Sequence, residues 1–89
     1  MTVRLHRDVS LIRTDDGGVL LDQRSGEYWQ LNHTAATALR LLLDGTGEQE
    51  VATALVAECQ PGEVEPDQAL RDVRELADEL TAAKLAVRS

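Results

Sequence analysis

One cysteine, two histidines, two aromatic residues and no phenylalanine stand among the 89 residues of this chain. A lone Cys59 cannot close an internal disulfide, and His6 and His33 offer no metal-ligand spacing, so disulfide and zinc scaffolds are excluded. The same poverty argues against an enzyme. Catalysis needs a nucleophile with its base, paired carboxylates in a cleft, or a metal, and these residues assemble none of the three; no cofactor motif stands in their place. Long apolar runs are missing too: stretches such as Leu41 to Leu43 and Ala54 to Ala57 are far short of the ~20 residues that cross a bilayer. The N-terminal Met1-Thr2-Val3-Arg4-Leu5-His6 carries no signal-peptide core, so the expectation is a cytoplasmic protein without membrane contact. Positive charge is scarce where it would matter for nucleic acid. Residues 1–43 balance five arginines against five acids, whereas residues 44–80 hold eleven acids against Arg71 and Arg74, and the whole chain carries −7. Such a surface repels phosphate, so the expectation is that nucleic acid is not a partner.

What is present is apolar residue content of 43%, carried by Leu, Val and Ala. That is enough burial to offset the ordering entropy of a single small domain spanning 1–89, with a core too small to enclose a large cavity. Three β-prone runs come first: Val9 to Arg13, Val19 to Asp22 and Glu27 to Leu31. Asp15-Asp16-Gly17-Gly18 and Ser25-Gly26 separate them, where glycine accepts the φ > 0 of tight turns, and this predicts an antiparallel meander over about 9–31. In the third run, Glu27, Trp29 and Leu31 share one face and Tyr28 and Gln30 the other. Trp29, in phase with Leu31, is expected beneath the helices, and Tyr28 on the open face.

Three helices are predicted over about 33–85. Asn32 caps the first, an apolar run over Ala35 to Leu43 that Gly45 stops. Thr46-Gly47-Glu48-Gln49 fits a capping box for the second, whose stripe is Val51, Ala52, Leu55, Val56 and Cys59. Pro66 opens the third, with Ala69, Leu70, Val73, Leu76, Ala77, Leu80 and Ala83 on one stripe. The order is that of an α+β domain, a three-stranded antiparallel sheet followed by three helices, and the helical part is winged-helix-like. A three-stranded meander cannot close into a barrel. Its third strand therefore offers an edge of N–H and C=O groups, open unless Met1 to Leu5 or a second copy covers it.

The succession Val19-Leu20-Leu21-Asp22, Gly26-Glu27-Tyr28-Trp29-Gln30-Leu31-Asn32, Ala35 with Ala38-Leu39, Leu42-Leu43-Asp44-Gly45, Val51 with Leu55, and Asp72-Val73 with Leu76 and Leu80 resembles the PqqD-like proteins. These are RiPP recognition elements, small domains that bind the leader segment of ribosomally made peptide precursors. Within that family the chain is most similar to the standalone recognition proteins of lasso peptide biosynthesis. Those work beside a separate leader peptidase and an ATP-dependent macrocyclase. The resemblance implies a leader-binding groove between the third strand (Glu27, Tyr28, Trp29, Gln30, Leu31) and the third helix (Asp67, Leu70, Arg71, Asp72, Val73, Arg74, Ala77). A leader would join as an added strand and be delivered to the processing enzymes. On the helix, Leu70, Val73 and Ala77 either floor the groove or are ordinary core. Arg71 and Arg74 meet leader carboxylates or carbonyls, or else pair within the helix with Asp67, Glu75 or Asp78. Asp67 and Asp72 suit a leader Lys or Arg. The rival functions are a PqqD-like chaperone for another peptide class, a winged-helix DNA-binding regulator, which the charge disfavours, and an acyl carrier. The last needs an attachment serine at a helix start, and Ser10, Ser25 and Ser89 fall elsewhere.

Overall fold

The glycine-punctuated first third folds as its alternation dictates. In the computed structural model, which describes residues 3–58 and 65–88, a short β1 (Val3–Leu5) precedes the meander of β2 (Val9–Thr14), β3 (Gly17–Asp22) and β4 (Glu27–Asn32). The sheet order is β2-β3-β4, antiparallel throughout. Cross-strand partners share a face, so Leu11, Leu20 and Trp29 lie in one row and Ser10, Leu21 and Tyr28 in a row on the opposite face. The first face is the core face, with Leu20 wholly buried and Val9 nearly so. The second carries exposed Ile12 and Tyr28.

The turn between β2 and β3 is made differently from the expectation. Thr14 pairs with Gly17, so Asp15 and Asp16 form the two-residue loop, and neither has positive φ. Gly17 is required for room as well as conformation. At φ 153° a Cβ there would stand 2.1 Å from the Leu31 carbonyl oxygen of β4, a distance no side chain survives.

Asn32 ends β4 and caps α1 (His33–Leu43), its Oδ1 accepting the Ala35 N–H at 2.8 Å. The helix ends in a Schellman motif: Gly45 (φ 93°) donates to the Leu42 carbonyl at 3.1 Å and Thr46 to that of Leu41 at 3.0 Å. Helix α2 (Glu48–Glu58) follows and buries Val51, Ala52 and Leu55. Cys59, Pro61 and Gly62, expected to end this segment, lie outside the described residues. Helix α3 (Pro66–Ala82) starts with its proline in the first turn, as the sequence predicts, and buries Ala69, Val73, Ala77 and Leu80. Ala69, Val73 and Leu80 share one core with Leu39, Leu42, Val51 and Leu20, and α1 packs directly on the sheet. The fold is α+β, a three-stranded antiparallel sheet followed by three helices.

Two corrections concern the chain ends. The third helix stops at Ala82 instead of running to 85, because Lys84 turns into the left-handed region at φ 62°. Lys84 donates to the Thr81 carbonyl at 3.0 Å and Leu85 to that of Leu80 at 2.9 Å, a second Schellman motif with a lysine where glycine is usual. Beyond it β5 (Ala86–Arg88) pairs antiparallel with β1, a ribbon that three-residue strands were too short to announce. The N-terminal segment therefore does not cover the meander. Val3–Leu5 spends its pairing on β5, and among the described residues no strand pairs with the outer edge of β4.

Candidate functional site

An antiparallel edge strand turns the N–H and C=O of alternate residues outward, so about three of the six residues of β4 offer both groups to a guest strand. Nothing along Glu27–Asn32 blocks that edge. It has no proline, no positive-φ residue, and a single charge at its start. Beside it, β4 packs on α1, while α3 stands off it. The space left over is a concavity of about 170 Å³ lined by Asn32 at the end of β4, Thr34, Ala35 and Ala38 of α1, Leu55 of α2, and Asp72, Val73 and Leu76 of α3. Its floor is apolar and its rim carries an amide, a hydroxyl and a carboxylate.

The third-strand residues named from the sequence all lie on this edge. Glu27, Tyr28 and Gln30 are exposed and Leu31 is half-buried. Trp29 is the correction. It occupies the core-facing side opposite Leu20, as its phase requires, yet it is 38% exposed and not packed beneath the helices. The ring is not among the side chains packed against the core and does not line the concavity. Tyr28, at 66% exposed, lies on the opposite face across from Leu21.

On α3 the structure divides the named residues. Val73 and Ala77 are each 1% exposed and belong to the core, and of the two only Val73 lines the concavity. Leu70 is half-buried against the same core. Asp72 stands at the rim, its carboxylate accepting a hydrogen bond from Gln68 Nε2 at 2.9 Å. Asp67 and Arg71 are exposed, and Arg71 makes no ion pair among the described residues. Arg74 turns the other way. Its Nε lies 3.5 Å from Glu48 Oε2 on α2, an interhelical pair in place of the intrahelical ones the spacing suggested. Sequence reasoning missed Ala35, Leu55 and Leu76 as walls of the concavity. Leu76 carried the available signal, three residues beyond Val73 on the same stripe, but a stripe does not say where core ends and groove begins.

At the Glu27 end of β4, away from the concavity, stands an ion pair. Asp22, the last residue of β3, holds Arg24 through two guanidinium contacts, Nε to Oδ1 at 3.0 Å and Nη2 to Oδ2 at 3.1 Å. The Arg24 backbone N–H adds a third bond to Oδ1 at 3.0 Å. The Arg24 side-chain hydrogen bonds hold the Asp22 carboxyl below its ordinary value and raise the guanidinium in turn. No cluster of potential metal ligands occurs among the described residues, and no described helix is long and apolar enough to cross a membrane.

A small α+β domain with an unpaired strand edge beside an apolar concavity is a peptide-docking architecture by its geometry. The model of the family described as "Coenzyme PQQ synthesis protein D (PqqD)" matches residues 17–86, more than three quarters of the chain, and the chain belongs to that family. Among solved structures, it is similar to a lasso peptide synthetase B1 complexed with the leader peptide. That likeness has 43% identity over 99% of this chain and 100% of the other, with a TM-score of 0.87. It is also similar to TbiB1 in complex with the TbiA(beta) leader peptide, at 26% identity over 100% and 98% of the two chains and a TM-score of 0.81. No curated protein matches the chain significantly.

Proposed function

We propose that this protein binds the leader peptide of a ribosomally synthesised precursor, in lasso peptide biosynthesis, by adding the leader as a strand to β4. The observation that carries the reading is the uncovered β4 edge flanking an apolar concavity, in a fold shared almost end to end with a lasso peptide synthetase B1 complexed with its leader. Energetics require both features. Backbone pairing contributes a net ~0.5–1.5 kcal/mol per hydrogen bond, while ordering each leader residue costs about 1–2 kcal/mol. Main-chain pairing alone breaks even at best. Each leader side chain fully buried in the groove adds about 1.5–3 kcal/mol, so the concavity supplies the affinity that the edge only directs.

In this reading the whole chain is one leader-binding domain that catalyses nothing itself. It holds the leader in the cytoplasm and delivers it to a separate leader peptidase and an ATP-dependent macrocyclase. Glu27 to Leu31 supply the edge, Trp29 the mouth of the groove, and Leu70 and Val73 part of its wall. The exposed Asp67, Arg71 and Asp72 select leader charge, and Arg74 and Ala77 act from behind the wall. The test is a calorimetric titration with the leader peptide seen in the 43%-identical synthetase B1 complex, alongside leaders encoded near this gene. One-to-one binding, with amide shifts concentrated in Glu27 to Leu31 and Asp67 to Asp78, supports the reading; absence of binding, or shifts scattered over α2, overturns it.

A further inference from the structure

The groove has two ends, and their chemistry differs. Asn32, the last residue of β4, shares the concavity with Asp72, Val73 and Leu76, midway along α3. At the other end of β4, Glu27 follows the loop that carries Arg24, and Arg24 Nη2 donates to the carbonyl oxygen of Lys84 at 2.8 Å. Lys84 lies two residues beyond the end of α3. Thus α3 runs antiparallel to β4, and the Arg24 to Lys84 bond joins the hairpin that begins one wall to the turn that ends the other. The bond spans 60 residues of sequence. β4 rests chiefly on α1, and its packing against α3 is slight by comparison.

Both partners of the tie are themselves fixed. The guanidinium is gripped bidentately by Asp22, whose side chain is only 13% exposed, which leaves Nη2 aimed at a single further acceptor. The Lys84 carbonyl is oriented by the left-handed turn and the two backbone bonds of its Schellman motif. A tie between two preset groups holds a separation more tightly than one between flexible side chains.

We infer that Arg24 is a positioning residue that sets the width of the leader groove by holding the β3–β4 hairpin against the end of α3. The inference rests on the leader-binding reading above but concerns the unliganded protein. Arginine is needed for its fork: a lysine ammonium keeps the charge but not the planar set of donors that meets both Asp22 oxygens and the Lys84 carbonyl together.

The single Trp29 on the β4 wall makes the test direct. In a Cys59→Ser background, Glu79→Cys on α3 takes a fluorescent acceptor, and time-resolved energy transfer from Trp29 reads the distribution of wall separations. Arg24→Ala and Arg24→Lys are expected to broaden that distribution without peptide and to weaken binding of the synthetase B1 leader by about five- to thirtyfold, the loss of one charge-assisted bond. Asp22→Asn, which releases the grip on the guanidinium, should broaden it less. An unchanged distribution in both Arg24 variants overturns the inference. So does weakened binding with unchanged width, since Arg24 would then touch the peptide itself, and so does broadening with intact affinity. If the wild-type protein ignores leader peptides, the functional reading falls, while the peptide-free fluorescence still decides whether Arg24 fixes the walls.

Discussion

Strand addition makes a prediction that few other binding modes share, and a proline scan of β4 exposes it. Adjacent N–H groups along a strand point to opposite edges. Of Tyr28, Trp29, Gln30 and Leu31, two therefore donate toward β3 and two toward the open edge, in alternation. Proline at an inward position removes a ladder bond and leaves its β3 carbonyl partner unpaired, at a cost of about 1–3 kcal/mol. At an outward position it removes an N–H that the free protein leaves to water, and an edge strand tolerates it. There the loss falls on the complex. One missing bond, worth ~0.5–1.5 kcal/mol, weakens the leader by roughly 2- to 12-fold, and more where the ring obstructs the incoming chain. The fall in melting temperature and the rise in dissociation constant should thus alternate along the four variants, one at the inward positions and the other at the outward ones. Circular dichroism supplies the first and calorimetry the second. The reasoning is refuted if the two variants that melt like wild type also bind leader like wild type.

Other substitutions test the frame that holds the edge. Gly17→Ala drives a Cβ to 2.1 Å from the Leu31 oxygen and should cost about 2–4 kcal/mol in urea unfolding, whereas a loss below about 1 kcal/mol would contradict the close approach of β3 and β4. Lys84→Gly relieves a left-handed lysine and should stabilise the protein by about 0.5–1 kcal/mol; destabilisation would mean the turn is not strained. Asp22, depressed by its bonds to Arg24, contributes stability that is fully present above its unfolded-state pKa and lost as pH falls through the lower folded one. The stability difference between wild type and Asp22→Asn should be flat above the ordinary carboxylate range and shrink as pH falls through that range and below it. A difference that acid leaves unchanged would show that the pair is not the cause.

Much of this architecture was legible because local chemistry and tertiary packing agree. Asn32 and Gly45 bracket α1, and Pro66 opens α3, because caps and φ restrictions act within a few residues. The edge was legible as well, since an open three-stranded meander makes its last strand an edge strand. What escaped was long-range. The β1–β5 ribbon joins the two ends of the chain through strands of three residues, too short for alternation to show. Trp29 is a failure of a different kind: its phase is correct, but its burial depends on how closely the helices pack over β4, and no periodicity encodes the distance between a helix and a strand. The concavity was likewise invisible. Leu55, Leu76 and Ala35 read as core because core and groove floor are built from the same residue types.

Hydrogen exchange of the backbone amides, with and without the synthetase B1 leader, tests the central claim most directly. On binding, alternate amides of Glu27–Asn32 should slow together with those of the facing stretch of α3, while the β1–β5 ribbon keeps its free-state rates. Protection that appears in α2 or in the β1–β5 ribbon and leaves the β4 amides exchanging as before would contradict strand addition at this edge.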